Sequence, residues 1–168
     1  MSSSPDAPAL TVDRAHPDDF PRIGQLTCEV YVGGGLASSE YGEQLRDVAG
    51  RADHAELLVA RDDEGRVVGS VALVLAGGFG EVTESDDEAA FRMLVVDPAV
   101  QGRGIGELLV TTCLERARTA GKRRVVLSTD RRMTTAQRLY ERLGFPRLPE
   151  RDWSPRPGID LLVYAVDL

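Results

Sequence analysis

Residues 91–106 read FRMLVVDPAVQGRGIG, an apolar run followed by a glycine-rich loop. The run at 91–96 predicts a central, buried strand that stops at Asp97-Pro98, because proline has no backbone N–H to donate to a strand ladder. The loop leads into apolar residues that recur at steps of three and four from Gly104 until Gly121 stops the pattern. The stretch therefore predicts a strand, a glycine-rich turn and an amphipathic helix.

The glycine-rich turn has the composition of an anion site. Gly102, Gly104 and Gly106 leave the backbone open to a ligand, and free amides at the positive end of a helix dipole suit a pyrophosphate. Arg103 would add a phosphate contact. A Rossmann fingerprint would need glycine where Glu107 stands, and a P-loop would need Gly-Lys followed by Ser or Thr. The alternative at this point is that the glycine-rich turn is purely structural and binds no ligand.

Outside this stretch, the hydrophobic periods predict strands at residues 10–14, 56–61, 66–76, 124–128 and 159–166, and helices at 17–32, 39–51 and 134–143. Ser39 would cap the second helix, and a turn at 62–65 would join two strands as a hairpin. A seventh strand between Arg147 and Trp153 is optional. A hairpin followed by βαβα units predicts the α/β class, with a mixed sheet and helices on its faces.

Bulk properties predict one domain over residues 1–168, with residues 1–8 as a flexible tail. No apolar run approaches the roughly 20 residues that span a bilayer, and the first residues lack the basic and apolar segments of a signal peptide. We therefore expect a cytoplasmic protein without a membrane partner. The net charge of −7 and the lack of a Lys/Arg stripe disfavour nucleic-acid binding.

The cysteines and histidines, the residue types that most often form disulfides or bind metals, are scattered in the sequence. Cys28 and Cys113 lack CxxC spacing, and His16 and His54 are far apart. We expect neither a disulfide framework nor a metal site.

Two motifs resemble one family. VVDP at 95–98 followed by QGRGIG at 101–106 resembles the Q/R-x-x-G-x-G/A signature of the GNAT N-acetyltransferase superfamily, and AQRLYERLGF at 136–145 resembles its A-x-x-L-Y-x-x-x-G-F segment. The resemblance covers about residues 91–145; the first ninety residues match only in the order of elements. It implies the GNAT acyltransferase fold, a six- or seven-stranded mixed β-sheet flanked by about four helices, and acetyl-CoA as cosubstrate.

The resemblance also implies the cofactor-binding residues. The central strand would pair its backbone with the pantetheine arm, the glycine loop would hold the pyrophosphate, and the segment before and within the 134–143 helix would contact the cofactor near its thioester. The residues concerned are Leu94, Val95, Val96, Gln101, Gly102, Arg103, Gly104, Ile105, Gly106, Met133, Ala136 and Tyr140.

Tyr140 matches the family's usual proton donor to the leaving thiolate. A phenol of pKa about 10 donates to a thiolate whose acid has a pKa of about 8.5 only in an uphill step, so the geometry must help. Alternatively, Tyr140 is a core aromatic or only packs against the sulfur. Met133 stands where many relatives have an asparagine, and a thioether cannot donate that hydrogen bond.

The general base is open. Family members that use a carboxylate on the strand before the signature often carry it where this chain has Ala90. With a period of two, Glu88 and Arg92 share a face with Ala90, so Glu88 is the candidate base if the strand extends that far. The alternatives are that Glu88 is a solvated acid and that the amine loses its proton to bulk water.

Acceptor recognition would fall to the loop 33–35, the acidic loop 81–88 and the segment 151–158, with Trp153 beside Tyr31 and Tyr41. The sequence thus predicts an acetyl-CoA-dependent N-acetyltransferase that acts directly on a primary amine of a small molecule or peptide. The alternatives are a noncatalytic acyl-CoA-binding sensor or regulatory module and, less consistent with the glycine spacing, a dinucleotide-binding domain. Whether the chain forms a homodimer is left open.

Overall fold

The computed structural model describes residues 9–38, 42–76 and 83–168. The predicted tail at 1–8, the predicted cap Ser39, Tyr41 and part of the acidic loop lie outside these residues. The described residues form five α-helices: α1 (Phe20–Tyr31), α2 (Gly42–Arg46), α3 (Val48–Ala52), α4 (Ile105–Thr119) and α5 (Thr134–Arg142). The strands are β1 (Thr11–Arg14), β2 (Glu56–Arg61), β3 (Val67–Val74), β4 (Glu88–Val96), β5 (Arg124–Asp130), β6 (Trp153–Arg156) and β7 (Ile159–Asp167).

The seven strands form one sheet in the order β1-β2-β3-β4-β5-β7-β6. β4 and β5 are parallel, and every other neighbouring pair is antiparallel. The α/β class, the mixed sheet and the central place of the strand at 91–96 are therefore confirmed. β4 begins three residues earlier than the apolar run, at Glu88.

Two predicted elements differ from the structure. The helix expected at 39–51 is two short helices, because Asp47 interrupts it and caps α3 by accepting a hydrogen bond from the Gly50 amide at 3.1 Å. A further strand near Trp153 is present, but it begins at Trp153 instead of ending there. Between Arg147 and Trp153, the sheet gains only an isolated bridge from Arg147 to Tyr164.

Apolar side chains cover both faces of the sheet. One core cluster lies under α4 and α5 and includes Phe91, Leu109, Tyr140 and Phe145; a second lies under α1 and includes Ile23 and Leu26. β3 is buried along its whole length because helices cover it on both sides. Among the described helices, none combines the length and the apolar composition needed to cross a bilayer.

Candidate active site

The sheet opens between its two parallel strands. β4 pairs with β5 only at residues 88–90 of β4 and 124–126 of β5. Beyond Ala90, β4 pairs with β3 alone, while β5 stays paired with β7 as far as Asp130. The C-terminal halves of β4 and β5 therefore diverge, and a cavity of about 650 Å³, lined by residues 90–94 and 128–130, lies between them. We call this cavity the β4–β5 cleft.

A β-bulge lies on the β4 side of the cleft. The pairing with β3 slips between Arg92 and Val95, where Met93 and Leu94 together face one residue of β3. Met93 has φ 57°, and it is the only non-glycine residue with positive φ in the described parts of the chain. A bulge leaves a backbone group without a ladder partner and redirects the neighbouring side chains. Met93 and Leu94 both line the cleft, so this loosened backbone borders it.

The glycine loop follows the C-terminal end of β4, on the side where the cleft widens. Gly102 and Gly104 have φ of 82° and 77°, and a Cβ on either would meet no atom within 4 Å. Glycine is therefore needed there for the left-handed backbone. Within the described residues, the amides of 102–107 donate to no acceptor. Together with the N-terminus of α4, they form a row of backbone donors suited to an anion.

Gly106 has a different reason to be glycine. A Cβ on Gly106 would lie 3.2 Å from Leu139 Cδ2 of α5, so this glycine allows α4 and α5 to approach each other. Ile105 is 2% exposed and belongs to the core. Gln101 and Arg103 are exposed beside the free amides.

The other predicted cofactor residues are divided between cleft and core. Leu94, Met133 and Tyr140 line the cleft. Val95 is buried on the α1 side of the sheet, and Val96 and Ala136 are partly buried against the α4–α5 cluster. For Val95 and Val96, only the backbone is left to serve the predicted pairing with a pantetheine arm.

Tyr140 projects from α5 into the aromatic part of the core and reaches the cleft. Its ring centroid lies 5.9 Å from that of Phe91, 5.9 Å from Phe145 and 5.8 Å from Tyr164. Its hydroxyl makes no hydrogen bond with any of the described residues. Burial, with a smaller contribution from the nearby Tyr31, raises the pKa of Tyr140 above its usual value. The hydroxyl therefore stays protonated at neutral pH.

Glu88 does not reach the cleft. Its carboxylate accepts from Arg151 Nη1 at 3.0 Å and from the Glu84 amide at 2.8 Å, and Arg124 lies 3.8 Å away. The Glu88 side chain is 8% exposed, and it is absent from the cleft lining, whereas Ala90 is present. β4 does extend back to Glu88, as the prediction required, but the ion pair with Arg151 holds the Glu88 carboxylate outside the cleft. The position of Glu88 argues against the predicted role as general base.

The far side of the cleft is built from the segments expected to recognise the acceptor. Tyr31 at the end of α1, residues 35–38 after it, and Trp153 with residues 155–157 of the β6–β7 hairpin line this side. We call it the acceptor side. Of the acidic loop, residues 83–88 do not contribute to the lining.

One ion pair of the site has no local signal in the sequence. Asp130, at the end of β5, pairs with Arg132 through two contacts, Nε to Oδ1 at 3.0 Å and Nη2 to Oδ2 at 2.8 Å. Arg132 also donates to the carbonyls of Gly35 at 3.3 Å and Leu36 at 3.1 Å. We call this set the Arg132 bridge. It ties the acceptor side to the segment before α5, and the guanidinium lowers the pKa of Asp130.

Comparison with known proteins places this site in a family. The model of the acetyltransferase (GNAT) family matches residues 21–145. The uncharacterised N-acetyltransferase YjgM of Escherichia coli is 32% identical over 107 residues, which are 63% of this chain and 59% of that protein. The chain thus spans less than two thirds of the length of that relative.

Two solved structures share the fold over nearly the whole chain. A GCN5-related N-acetyltransferase from Kribbella flavida is 26% identical with a TM-score of 0.69, covering 98% of this chain and 100% of that one. The Salmonella typhimurium protein yncA, solved with its cofactor acetyl-CoA, is 21% identical with a TM-score of 0.65, covering 95% of this chain and 94% of that one.

The family model covers most of the chain, including the glycine loop and Tyr140. It confirms the resemblance to the GNAT acetyltransferases that the two sequence motifs indicated. The chain belongs to the acetyltransferase (GNAT) family.

Proposed function

We propose that this protein is an acetyl-CoA-dependent N-acetyltransferase that transfers the acetyl group directly to a primary amine of a small molecule or peptide. The observation that carries the proposal is the divergence of β4 and β5 past Ala90. This divergence exposes an edge of β4 to the β4–β5 cleft, which is also lined by Met133 and Tyr140 and extends to the acceptor side. Both substrates of a direct transfer would meet in this cavity.

The chain's residues fit acetyl-CoA. The free amides of 102–107 would hold the pyrophosphate, with Gln101 and Arg103 beside them, since hydrogen bonds from amides to a charged acceptor contribute about 1.5 to 3 kcal/mol each. The β4 backbone from Leu94 to Val96, paired only with β3, would hold the amide-rich pantetheine arm. Bound acetyl-CoA supplies the thioester whose acetyl group is transferred and the thiolate that is released.

Two groups of the protein would assist the transfer. Backbone amides at the Met93 bulge would stabilise negative charge that develops on the carbonyl oxygen, because donors fixed in place before the reaction need no reorganisation. The Tyr140 hydroxyl would hold a proton for the thiolate. Burial raises the pKa of Tyr140, so complete proton transfer to the thiolate is more strongly uphill than it is from an exposed phenol. Tyr140 would therefore act more through a hydrogen bond to the thiolate than through complete proton transfer.

The amine proton would leave to water. Asp130 is the only carboxylate among the described residues that line the cleft, and its bidentate pair with Arg132 lowers its pKa. A carboxylate held in this way is a poor proton acceptor. An acceptor amine that arrives uncharged needs no base in order to attack. As the C–N bond forms and the C–S bond breaks, its nitrogen would lose one further proton to water, and the released thiolate would take up one proton with the help of Tyr140.

The test is turnover with a panel of primary amines. Purified protein with acetyl-CoA should release free CoA thiol only when a suitable amine is present, and mass spectrometry should find the acetylated amine. Thiol release without an acetylated amine would contradict the proposal, as would the failure of a broad panel of small amines and peptides.

A noncatalytic acyl-CoA sensor is the second candidate. The observation that favours it is the lack of an uncommitted carboxylate in the described cleft lining, where Ala90 stands in place of a base. A sensor would bind acetyl-CoA in calorimetry yet acetylate no amine, and Tyr140→Phe would change nothing that can be measured. Because acetyl-CoA is a cytoplasmic metabolite, we also propose a cytoplasmic location.

A further inference from the structure

Two exposed arginines flank the glycine loop. Arg103 lies in the loop itself, and Arg138 lies on α5. Neither forms an ion pair or a hydrogen bond with any residue that the structure describes. Arg142, further along α5, differs, because its guanidinium lies 3.9 Å from the Glu107 carboxylate. Arg103 and Arg138 are therefore cations to which the described parts of the chain offer no counterion.

The directions of α4 and α5 place Arg138 beside the loop. β4 and β5 are parallel, and each is followed by its helix, so α4 and α5 begin at the same end of the sheet. The two helices pack together at Gly106, and Arg142 meets Glu107 next to this contact. Arg138 precedes Arg142 by about one helical turn, and Arg103 precedes Glu107 by the same number of residues. Arg138 and Arg103 therefore lie at about the same level, at the end where the cleft widens.

The backbone of the loop can hold a pyrophosphate without Arg138. The amides of 102–107 donate to no acceptor within the described ranges, and the N-cap of α4 is Gly104, which has no side chain to cap the helix. Free amides at a helix N-terminus suit one anionic group. Glu141, the acid closest to Arg138 in the sequence, accepts from the Tyr164 hydroxyl at 3.4 Å. Arg138 is therefore available to a second anionic group of the same ligand.

CoA carries such a second group. Besides its pyrophosphate it has a phosphate monoester on the 3′-oxygen of the ribose, and a phosphate monoester is close to doubly negative at neutral pH. A guanidinium binds a phosphate through two parallel hydrogen bonds. We propose that Arg138, with Arg103 beside it, binds the 3′-phosphate of CoA and makes the site selective for CoA over 3′-dephospho-CoA. The proposal rests on the acetyl-CoA site of the proposed function and adds a specificity-determining residue to it.

The test is calorimetry with CoA and with 3′-dephospho-CoA, because the binding of either molecule needs neither an acceptor nor turnover. The two ligands differ only in the 3′-phosphate, so the ratio of their Kd values reports the recognition of that group alone. We expect the wild type to bind CoA about 10-fold more tightly, the size expected for charge-assisted hydrogen bonds. The preference should shrink as the ionic strength rises, since salt screens exposed charges.

Variants assign the preference to the two arginines. Arg138→Gln should raise the Kd for CoA about 5-fold or more and leave the Kd for 3′-dephospho-CoA nearly unchanged. The double variant Arg103→Gln with Arg138→Gln should bind the two forms with Kd values within about twofold of each other. Arg118→Gln is the matched control, because Arg118 is exposed, has no partner among the residues described, and lies at the opposite end of α4. The melting temperature of each variant shows that it is folded.

The outcomes separate this proposal from the proposed function. If the wild type binds both forms equally, or if the double variant keeps the preference, the 3′-phosphate proposal is overturned and the acetyl-CoA site stands. If the arginine variants weaken both forms to the same extent, the arginines serve the pyrophosphate, and the 3′-phosphate proposal is again overturned. If the wild type binds neither form, the acetyl-CoA site itself fails and this proposal fails with it.

Discussion

Arg132 and Asp130 form a bidentate ion pair, with Nε to Oδ1 at 3.0 Å and Nη2 to Oδ2 at 2.8 Å, in which Asp130 is buried at the end of β5. The same guanidinium donates to the carbonyls of Gly35 and Leu36. One side chain thus fixes the distance between a strand of the cleft and the loop that closes its acceptor side.

Loss of this bridge should affect the acceptor and spare acetyl-CoA. We expect Arg132→Ala to raise KM for the acceptor about 10-fold, because several charge-assisted hydrogen bonds are lost, while kcat and KM for acetyl-CoA change less than threefold. Arg132→Lys should rescue little, since an ammonium group cannot reproduce the fork. Arg131→Ala is the control. A loss of kcat without a rise in KM that is specific to the acceptor would mean that Arg132 only supports the structure as a whole.

The left-handed glycines of the loop predict a cofactor effect that is separable from stability. Gly104→Ala places a side chain at φ 77° and should cost about 1 to 2 kcal/mol in the free energy of unfolding. The shift of the adjacent amides should raise the Kd for acetyl-CoA about 10-fold. Gly65 has φ 78° in the turn between β2 and β3, away from the cleft. Gly65→Ala should show the same loss of stability with an unchanged Kd, and equal effects on Kd would refute a phosphate role for the loop.

The hydroxyl of Tyr140 should matter for turnover and little for folding. Tyr140→Phe removes an oxygen without a hydrogen-bond partner among the described residues, so we expect the melting temperature to be preserved and kcat to fall about 100-fold. Tyr164→Phe is the matched control, because the Tyr164 hydroxyl contacts Glu141 at 3.4 Å and is not part of the cleft lining.

The pH profile gives a second readout for Tyr140. A raised pKa means that the phenol keeps its proton to higher pH than in a free tyrosine, that is, beyond about pH 10. Ionisation of Tyr140 should therefore not lower the kcat of the wild type below about pH 10. If kcat does decline there, the same decline should persist in Tyr140→Phe. A decline that Tyr140→Phe abolishes would show that the phenol ionises more easily than its burial implies.

Glu88 should stabilise the protein without taking part in the reaction. Glu88→Gln breaks an ion pair in which the side chains are 8% and 13% exposed, and we expect the free energy of unfolding to fall by about 3 kcal/mol, with kcat within threefold of the wild type. Glu84 pairs with the same Arg151 but is 67% exposed, so Glu84→Gln should cost less than about 1 kcal/mol. A large loss of kcat in a stably folded Glu88→Gln protein would restore Glu88 as the base.

The sequence was sufficient for elements that carry their own local signals. The strand, glycine turn and helix between residues 91 and 121 combine an apolar run, a proline stop and helical periodicity, and the structure has β4 and α4 there. The helix at 134–143 is likewise confirmed, as α5. The break at Asp47 was missed because the hydrophobic pattern continues across a residue whose side chain favours a helix start.

Other features of the site depend on contacts between distant parts of the chain. Arg151 reaches Glu88 across 63 positions, and Arg132 reaches Gly35 across 97. No spacing rule in a single sequence connects such pairs. The bulge at Met93 is equally hidden, because methionine is an ordinary strand residue and its positive φ arises from the register between β3 and β4.

The central claim is that the β4–β5 cleft is the acetyl-CoA site, and a crystal structure with bound CoA tests it most directly. We expect the pyrophosphate on the amides of residues 102–107, the pantetheine arm along β4 beyond Ala90, and the sulfur within hydrogen-bonding reach of the Tyr140 hydroxyl. CoA bound elsewhere, or bound with β4 and β5 paired to their ends and the sulfur remote from Tyr140, would contradict the account.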